Sequence, residues 1–273
     1  MSKLLEETHN VINQQLNEEV YTVFKEEEEL IEDINSTATK EKKTFENLSE
    51  EPNEIKPYLY LGSKISASNL EMLQKVGITH VINCAKEIPN YFEDYDTCIP
   101  LNEEEGAYVG DDDLKYQTKL TRRFMKYLSL KQDDRMDQLI HKQFPIVIEF
   151  IDNARKENVN NKVFVHCQAG ISRSATCVIA YLMKREEMSL KEAFLFTKER
   201  RIQIGPNLGF MEELMKYEKQ IFKITKTTFS MKEYYVASLV QMGIKEAIAI
   251  KAIELSAGRF SLALDYALTG KLS

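Results

Sequence analysis

The stretch Lys162-Val163-Phe164-Val165-His166-Cys167-Gln168-Ala169-Gly170-Ile171-Ser172-Arg173-Ser174 decides the fold. Its first four residues read as a buried strand. Beyond a short loop, Val178, Ile179, Tyr181 and Leu182 mark a helix that is apolar around most of its circumference. Such a strand-loop-helix points several backbone N–H groups at one spot, the positive end of the helix. Gly170 gives the loop a residue free to take positive φ. A dianionic phosphoryl group fits that ring. Cys167 opens the loop, where the same N–H groups and the dipole favour thiolate over thiol. Arg173, six residues on, closes it with a planar fork able to grip two phosphate oxygens. A lone cysteine here would read as a small buried apolar residue. Joined to Gly170 and Arg173 at these offsets, it reads as the nucleophile of an in-line phosphoryl transfer.

Outward from the loop, Tyr58-Leu59-Tyr60-Leu61-Gly62 reads as a strand, 66–76 as a short helix stopped by Gly77, and Ile78-Thr79-His80-Val81-Ile82-Asn83 as a second strand. Between 91 and 123 the pattern dissolves around the acidic clusters Glu103 to Glu105 and Asp111 to Asp113, as in a surface insertion. Phe124 to Leu130 resumes as a strand, and 136–156 has helical spacing. A capping box, Ser189 with Glu192, opens a helix ending near Arg201, and another helix runs from about Asn207 to Phe222. A second box, Ser230 with Glu233, opens three short amphipathic helices over 230–269. The fold class is therefore α/β, a central mixed sheet flanked by helices, with an all-α three-helix module behind it.

Residues 1–57 hold 15 acidic and 6 basic side chains, so they carry more than the whole formal charge of −7. An acidic head is joined to a nearly neutral body, which is poor in the electrostatics that nucleic-acid binding needs. Apolar residues at Leu5, Ile12, Leu16, Val20, Phe24, Ile31 and Ile34 suit an irregular helix, and 36–56 reads as a polar linker. The arm is either a solubilising tail or a partner-binding helix. No apolar run reaches membrane-spanning length, and Met1 to Asn10 has no signal core, so the chain is expected inside the cell. Four cysteines without close spacing suggest neither a disulfide framework nor zinc, and no cofactor or metal is expected.

The loop resembles the His-Cys-x5-Arg-Ser/Thr signature of the protein tyrosine phosphatase superfamily. With Ala169-Gly170-Ile171-Ser172-Arg173-Ser174-Ala175 it is similar to the dual-specificity branch. Further landmarks of that branch follow in order: Tyr58 to Ser63, Gly77 to Asn83, Phe150-Ile151-Asp152, Ala180 to Met183, and Pro206-Asn207. The resemblance spans about 57–223, with 91–123 as the departure. It implies hydrolysis of phosphotyrosine and phosphoserine/threonine through a phosphocysteine. In it Cys167 is the nucleophile and Arg173 the clamp. His166 would orient the loop and help hold down the Cys167 pKa. Ser174 would hydrogen-bond the sulfur, Gln168, Ala169, Gly170, Ile171 and Ser172 would line the phosphate, and Asn207 would brace the loop's backbone.

The leaving oxygen needs a proton, which a carboxylic acid above the pocket would supply. The resemblance places it at Asp134, 33 residues before Cys167, with Asp133 as the close rival. The uncharged side chains of Gln168, Ala169, Ile171 and Ser172 favour a phosphoprotein over a phosphoinositide. A catalytically silent phospho-binding module is the competing class. The stretch before Tyr58 is expected to be too short for the docking domain of the MAP-kinase phosphatases, though a MAP kinase remains among the candidate partners.

Residues 230–273 resemble a ubiquitin-associated (UBA) domain: three short helices, Met242-Gly243-Ile244 in the first loop, and a last helix ending Tyr266-Ala267-Leu268. Ubiquitin is the partner this implies; a helical appendage is the alternative. The chain thus divides into an acidic arm and linker over 1–56, a phosphatase domain over 57–223 and the UBA-like module, in the cytoplasm and also the nucleus. Cys84 ends a strand expected beside that of Cys167, so it is either a buried thiol or a peroxide-triggered disulfide partner of Cys167. Cys98 and Cys177 are less well placed.

Overall fold

In the computed structural model the chain is described over residues 51–93, 96–98 and 122–270. The arm and linker up to residue 50 and the acidic clusters Glu103 to Glu105 and Asp111 to Asp113 lie outside these residues. Those described form two compact units, one ending at Met231 and one starting at Lys232.

The first unit carries β1 (Asn53–Lys56), β2 (Leu59–Gly62), β3 (Ile78–Ala85), β4 (Asp96–Cys98), β5 (Arg122–Phe124), β6 (Lys126–Gln132) and β7 (Lys162–His166). Five of these make one sheet in the order β1-β2-β7-β3-β6, while β4 and β5 pair separately. β1 runs antiparallel to β2; β2, β7, β3 and β6 are parallel. β7 is the central strand and is covered on both faces. That is why Val163-Phe164-Val165 is an unbroken apolar run rather than an alternating one. Phe164 shares one face with Tyr60 and Val81, closed by Ala67 of α1 (Lys64–Ala67) and Leu73 of α2 (Leu70–Val76). Val163 and Val165 point the other way and are fully buried. There α3 (Phe144–Glu157) and α4 (Arg173–Arg185) pack against β7. Each large apolar side chain so buried contributes about 1.5–3 kcal/mol.

Local chemistry sets the helix ends. Pro145 stands in the first turn of α3, where its missing N–H costs nothing. The expected capping box opens α5 (Leu190–Arg200): the Glu192 N–H donates to Ser189 Oγ at 3.3 Å, and the Ser189 N–H donates to Glu192 Oε2 at 2.8 Å. Asn207 caps α6 (Leu208–Phe222), its Oδ1 accepting the Phe210 N–H at 3.0 Å. Glu218 on α6 is fully buried. It accepts the Leu190 N–H at 2.7 Å, the Thr228 hydroxyl at 2.6 Å and the Thr228 N–H at 2.9 Å. Without those donors a buried carboxylate would be costly.

Several expectations shift. Residues 53–56, read as linker, are the edge strand β1, so the sheet begins before residue 57. The single helix over 66–76 is two, broken at Ser68-Asn69, with Asn69 Oδ1 accepting the Met72 N–H at 3.0 Å to start α2. The strand expected from Phe124 starts at Lys126, and Arg122–Phe124 pairs instead with Asp96–Cys98, inside the segment read as a patternless insertion.

The second unit holds α7 (Met231–Gln241), α8 (Glu246–Leu255) and α9 (Phe260–Thr269), the three helices expected there. Leu239, Ile244, Ala249, Ala252, Ile253, Ala263 and Ala267 form its core. Small alanines let these short helices approach closely. Among the described residues no helix is long and apolar enough to cross a membrane.

Candidate active site

The four parallel strands end along one edge of the sheet, where an open α/β sheet offers its crevice. The residues just past three of those ends carry the chemistry: Glu87 after β3, Asp134 after β6 and Cys167 after β7. Cys167 is 1% exposed and accepts a hydrogen bond from Ser174 Oγ, 3.2 Å from its Sγ.

The loop that follows is held from outside by its carbonyls. Gln168 O accepts the Lys64 N–H at 3.1 Å, and Ile171 O accepts the Gly205 N–H at 2.9 Å. Arg201 donates from Nη2 to Ala169 O at 3.0 Å and from Nε to Gly170 O at 2.8 Å. Across a trans peptide the next N–H points opposite to the carbonyl. Four successive carbonyls drawn outward therefore turn the N–H groups of Ala169, Gly170, Ile171 and Ser172 inward, a nest for an anion. Gly170 takes φ +69°. A Cβ there would run into the Gly62 carbonyl and stand 2.6 Å from Arg201 Nη2, so the close approach requires glycine.

Arg173 is 4% exposed. Its fork is met by Glu87, with Nη2 2.7 Å from Oε1 and Nη1 2.8 Å from Oε2, and Nη1 also donates to Gln132 O at 3.0 Å. Nε is buried without a hydrogen-bond partner, 3.6 Å from Asp134 Oδ2. Burial opposes the charge of Arg173, but hydrogen bonding to Glu87 and the nearby Cys167 raise its pKa overall. The same hydrogen bonds lower that of Glu87.

Of the two rival acids, Asp134 is brought to the loop. Its Oδ1 accepts Ser172 Oγ–H at 2.7 Å and Asn207 Nδ2–H at 2.8 Å. Asp133 turns outward to Lys86, 3.7 Å away. Gly209 makes the Asp134 loop's approach possible: a Cβ on it would collide with the Met136 carbonyl. Asn207 acts differently from the expectation. It reaches the loop through the Ser172 side chain, whose oxygen accepts the Asn207 N–H at 3.1 Å, while Gly205 makes the backbone brace. His166 is fully buried and stacks on Phe164 with centroids 5.4 Å apart. Burial pushes its pKa down to about 4, so at neutral pH it is uncharged and brings no positive charge to the sulfur.

Cys84 Sγ lies 3.9 Å from Cys177 Sγ, both buried, and burial pushes the Cys84 thiol well up. Reading the sequence missed Glu87, Arg201, Gly209 and Asn53. Glu87 had a signal, an acid just beyond a strand expected beside that of Cys167. The others act across more than thirty residues of chain, with no local mark.

Residues 59–220 match the family model described as dual specificity phosphatase, catalytic domain. Human dual specificity protein phosphatase 1 is 40% identical over 170 residues, 62% of this chain and 38% of that protein. Human dual specificity protein phosphatase 4 is 36% identical over 172 residues, 62% and 35% of the two chains. The chain thus spans less than two fifths of these relatives. Among solved structures, a variant of human DUSP28 superposes with a TM-score of 0.50 at 23% identity, covering 63% of this chain and 97% of that one; this likeness bears on the fold alone.

Proposed function

Because the chain belongs to the dual specificity phosphatase family, we propose that it hydrolyses phosphotyrosine and phosphoserine/threonine on proteins through a phosphocysteine intermediate. Cys167 Sγ attacks phosphorus in line, forming the S–P bond as the P–O bond to the substrate side chain breaks. Asp134 gives its proton to that leaving oxygen. Water, its proton taken by Asp134, then cleaves the S–P bond and frees phosphate. Ser174 steadies the departing sulfur. The inward N–H groups of residues 169–172, with Arg173, hold the non-bridging oxygens.

The observation that carries this reading is the convergence on one loop of the Cys167 sulfur, the Ser174 hydroxyl 3.2 Å from it, and Asp134, which the hydroxyl of Ser172 and the amide of Asn207 hold against that loop. Gln168, Ala169 and Ile171 carry no charge, which favours a phosphoprotein over a polyphosphorylated lipid headgroup. Phosphate release from a phosphopeptide panel, absent in Cys167→Ser, is the test. Release by phosphoinositides in preference to every peptide would replace the substrate class. A MAP kinase is the first phosphoprotein to assay, and a cytoplasmic or nuclear setting, where thiols stay reduced, completes the reading.

We also read the three-helix unit as UBA-like. Met242 and Leu268 are 53% and 60% exposed, as a ubiquitin-contacting pair would be. Ile244, where such domains usually carry an aromatic, is buried at 2% and belongs to the core. A ubiquitin titration that moves no resonance near Met242 or Leu268 would remove that partner.

A further inference from the structure

The sulfur of Cys167 needs positive charge nearby if it is to react as thiolate. Arg173, Cys84 and Arg201 interact electrostatically with it, His166 precedes it in the chain, and Glu87 and Asp134 lie against Arg173. The fork of Arg173 is matched by the carboxylate of Glu87, with Asp134 beside its Nε. His166 is neutral at pH 7 and Cys84 is a protonated thiol. Arg201 differs from all of these. It is 4% exposed, and its donors meet the carbonyls of Ala169 and Gly170 and, from Nη1 at 2.6 Å, the Oδ1 of Asn53 on β1. Turning the Gln203 amide over adds a further neutral acceptor. Among the described residues no carboxylate pairs with it. Burial pulls its pKa down to about 10, opposed by Cys167, so it keeps its charge at neutral pH.

We infer that Arg201 is a positioning residue for the reaction, holding the loop amides inward while its unmatched charge keeps Cys167 in the reactive form. A cation completely satisfied by neutral acceptors leaves its field for the anions about it, and the Cys167 sulfur, which props up the pKa of Arg201, is within that field in a site where burial weakens screening. Asn53 belongs to the device: an amide anchors the guanidinium without cancelling it, which an aspartate of the same shape would do.

This inference rests on Cys167 being the nucleophile, and its test reads the sulfur rather than turnover. The full chain is treated with iodoacetamide across a range of pH, and alkylation is followed by mass spectrometry on the peptide carrying Cys167. Arg201→Gln and Asn53→Asp should each slow alkylation about tenfold at roughly pH 6, with the rate recovering as pH rises by about one unit. Arg201→Lys, which keeps the charge but not the fork that holds the two carbonyls, should show a smaller shift along the pH axis than Arg201→Gln. An Asn53→Asp profile that overlays the wild type would overturn the inference, as would Arg201→Gln slowed equally at every pH. Should Arg201→Gln not fold, the isosteric Asn53→Asp decides alone. Phosphate release by the wild-type protein is scored separately. If it is absent while the alkylation shift is present, the functional reading fails, and what stands is that Arg201 sets the reactivity of the Cys167 sulfur.

Discussion

The carboxylate of Glu87 meets the guanidinium of Arg173 end-on, each of its oxygens within 2.8 Å of a different terminal nitrogen. That geometry fixes which edge of the fork is spent and which is left. The end is taken, and the side carrying Nε, which has no hydrogen-bond partner and lies 3.6 Å from Asp134 Oδ2, is the edge left over for the phosphate of the proposed reaction. In the proposed reaction Glu87 thus aims the clamp.

Replacing Glu87 by Ala should lower kcat/KM for an aryl phosphate by about tenfold to a hundredfold, because a misplaced clamp loses orientation. Glu87→Gln, which keeps one acceptor, should recover part of the loss. The carboxylate is half exposed, so the melting temperature should change little. Steady-state kinetics beside a thermal melt separates aim from stability.

Asp134→Asn should reduce kcat by about a hundredfold, the usual worth of a placed acid, while vanadate still binds. Asp133→Asn should behave as wild type, since that side chain faces Lys86. The reverse result would return the role to Asp133.

Adding a methyl at Gly209 should push the Met136 backbone, and Asp134 with it, away from the loop. Gly209→Ala is expected to cost about 1–3 kcal/mol in a urea titration, as overpacking does. It should also cut kcat more than phosphate affinity. Unaltered turnover would show that the loop has room to spare.

His166 makes stability depend on acid. Its folded pKa, about 4, lies below the 6.5 of a free imidazole, so the unfolded chain binds the extra proton first. The contribution is complete above about pH 6.5 and is lost as pH falls toward 4, to a limit of about 3 kcal/mol. Urea midpoints between these limits should fall by less in His166→Gln than in wild type. Equal slopes would assign the acid sensitivity to other groups.

Much of the fold was legible because its signals are local. The strand ending at His166, the Ser189 and Glu192 box and the Cys167 to Ser174 loop are each read within one short window. Asp134 could be located by its spacing to the phosphatase landmarks. What escaped is tertiary. β1 is four residues long and polar at Asn53 and Glu54, so only its pairing with β2 makes it a strand. Arg201 looks like the basic end of a helix until its guanidinium is seen beneath a loop thirty residues earlier. Gly209 carries no mark of the backbone that crosses it.

The ring proposed to receive phosphate is made of main chain, and its outer attachments run to carbonyls. The side chains of Gln168, Ala169 and Ile171 therefore have no part in keeping its shape, and all three reach solvent to some degree. Substitutions there are free to drift. A lineage, or an engineer, could rewrite which phosphorylated neighbourhood is admitted and leave the capture of the phosphate itself untouched.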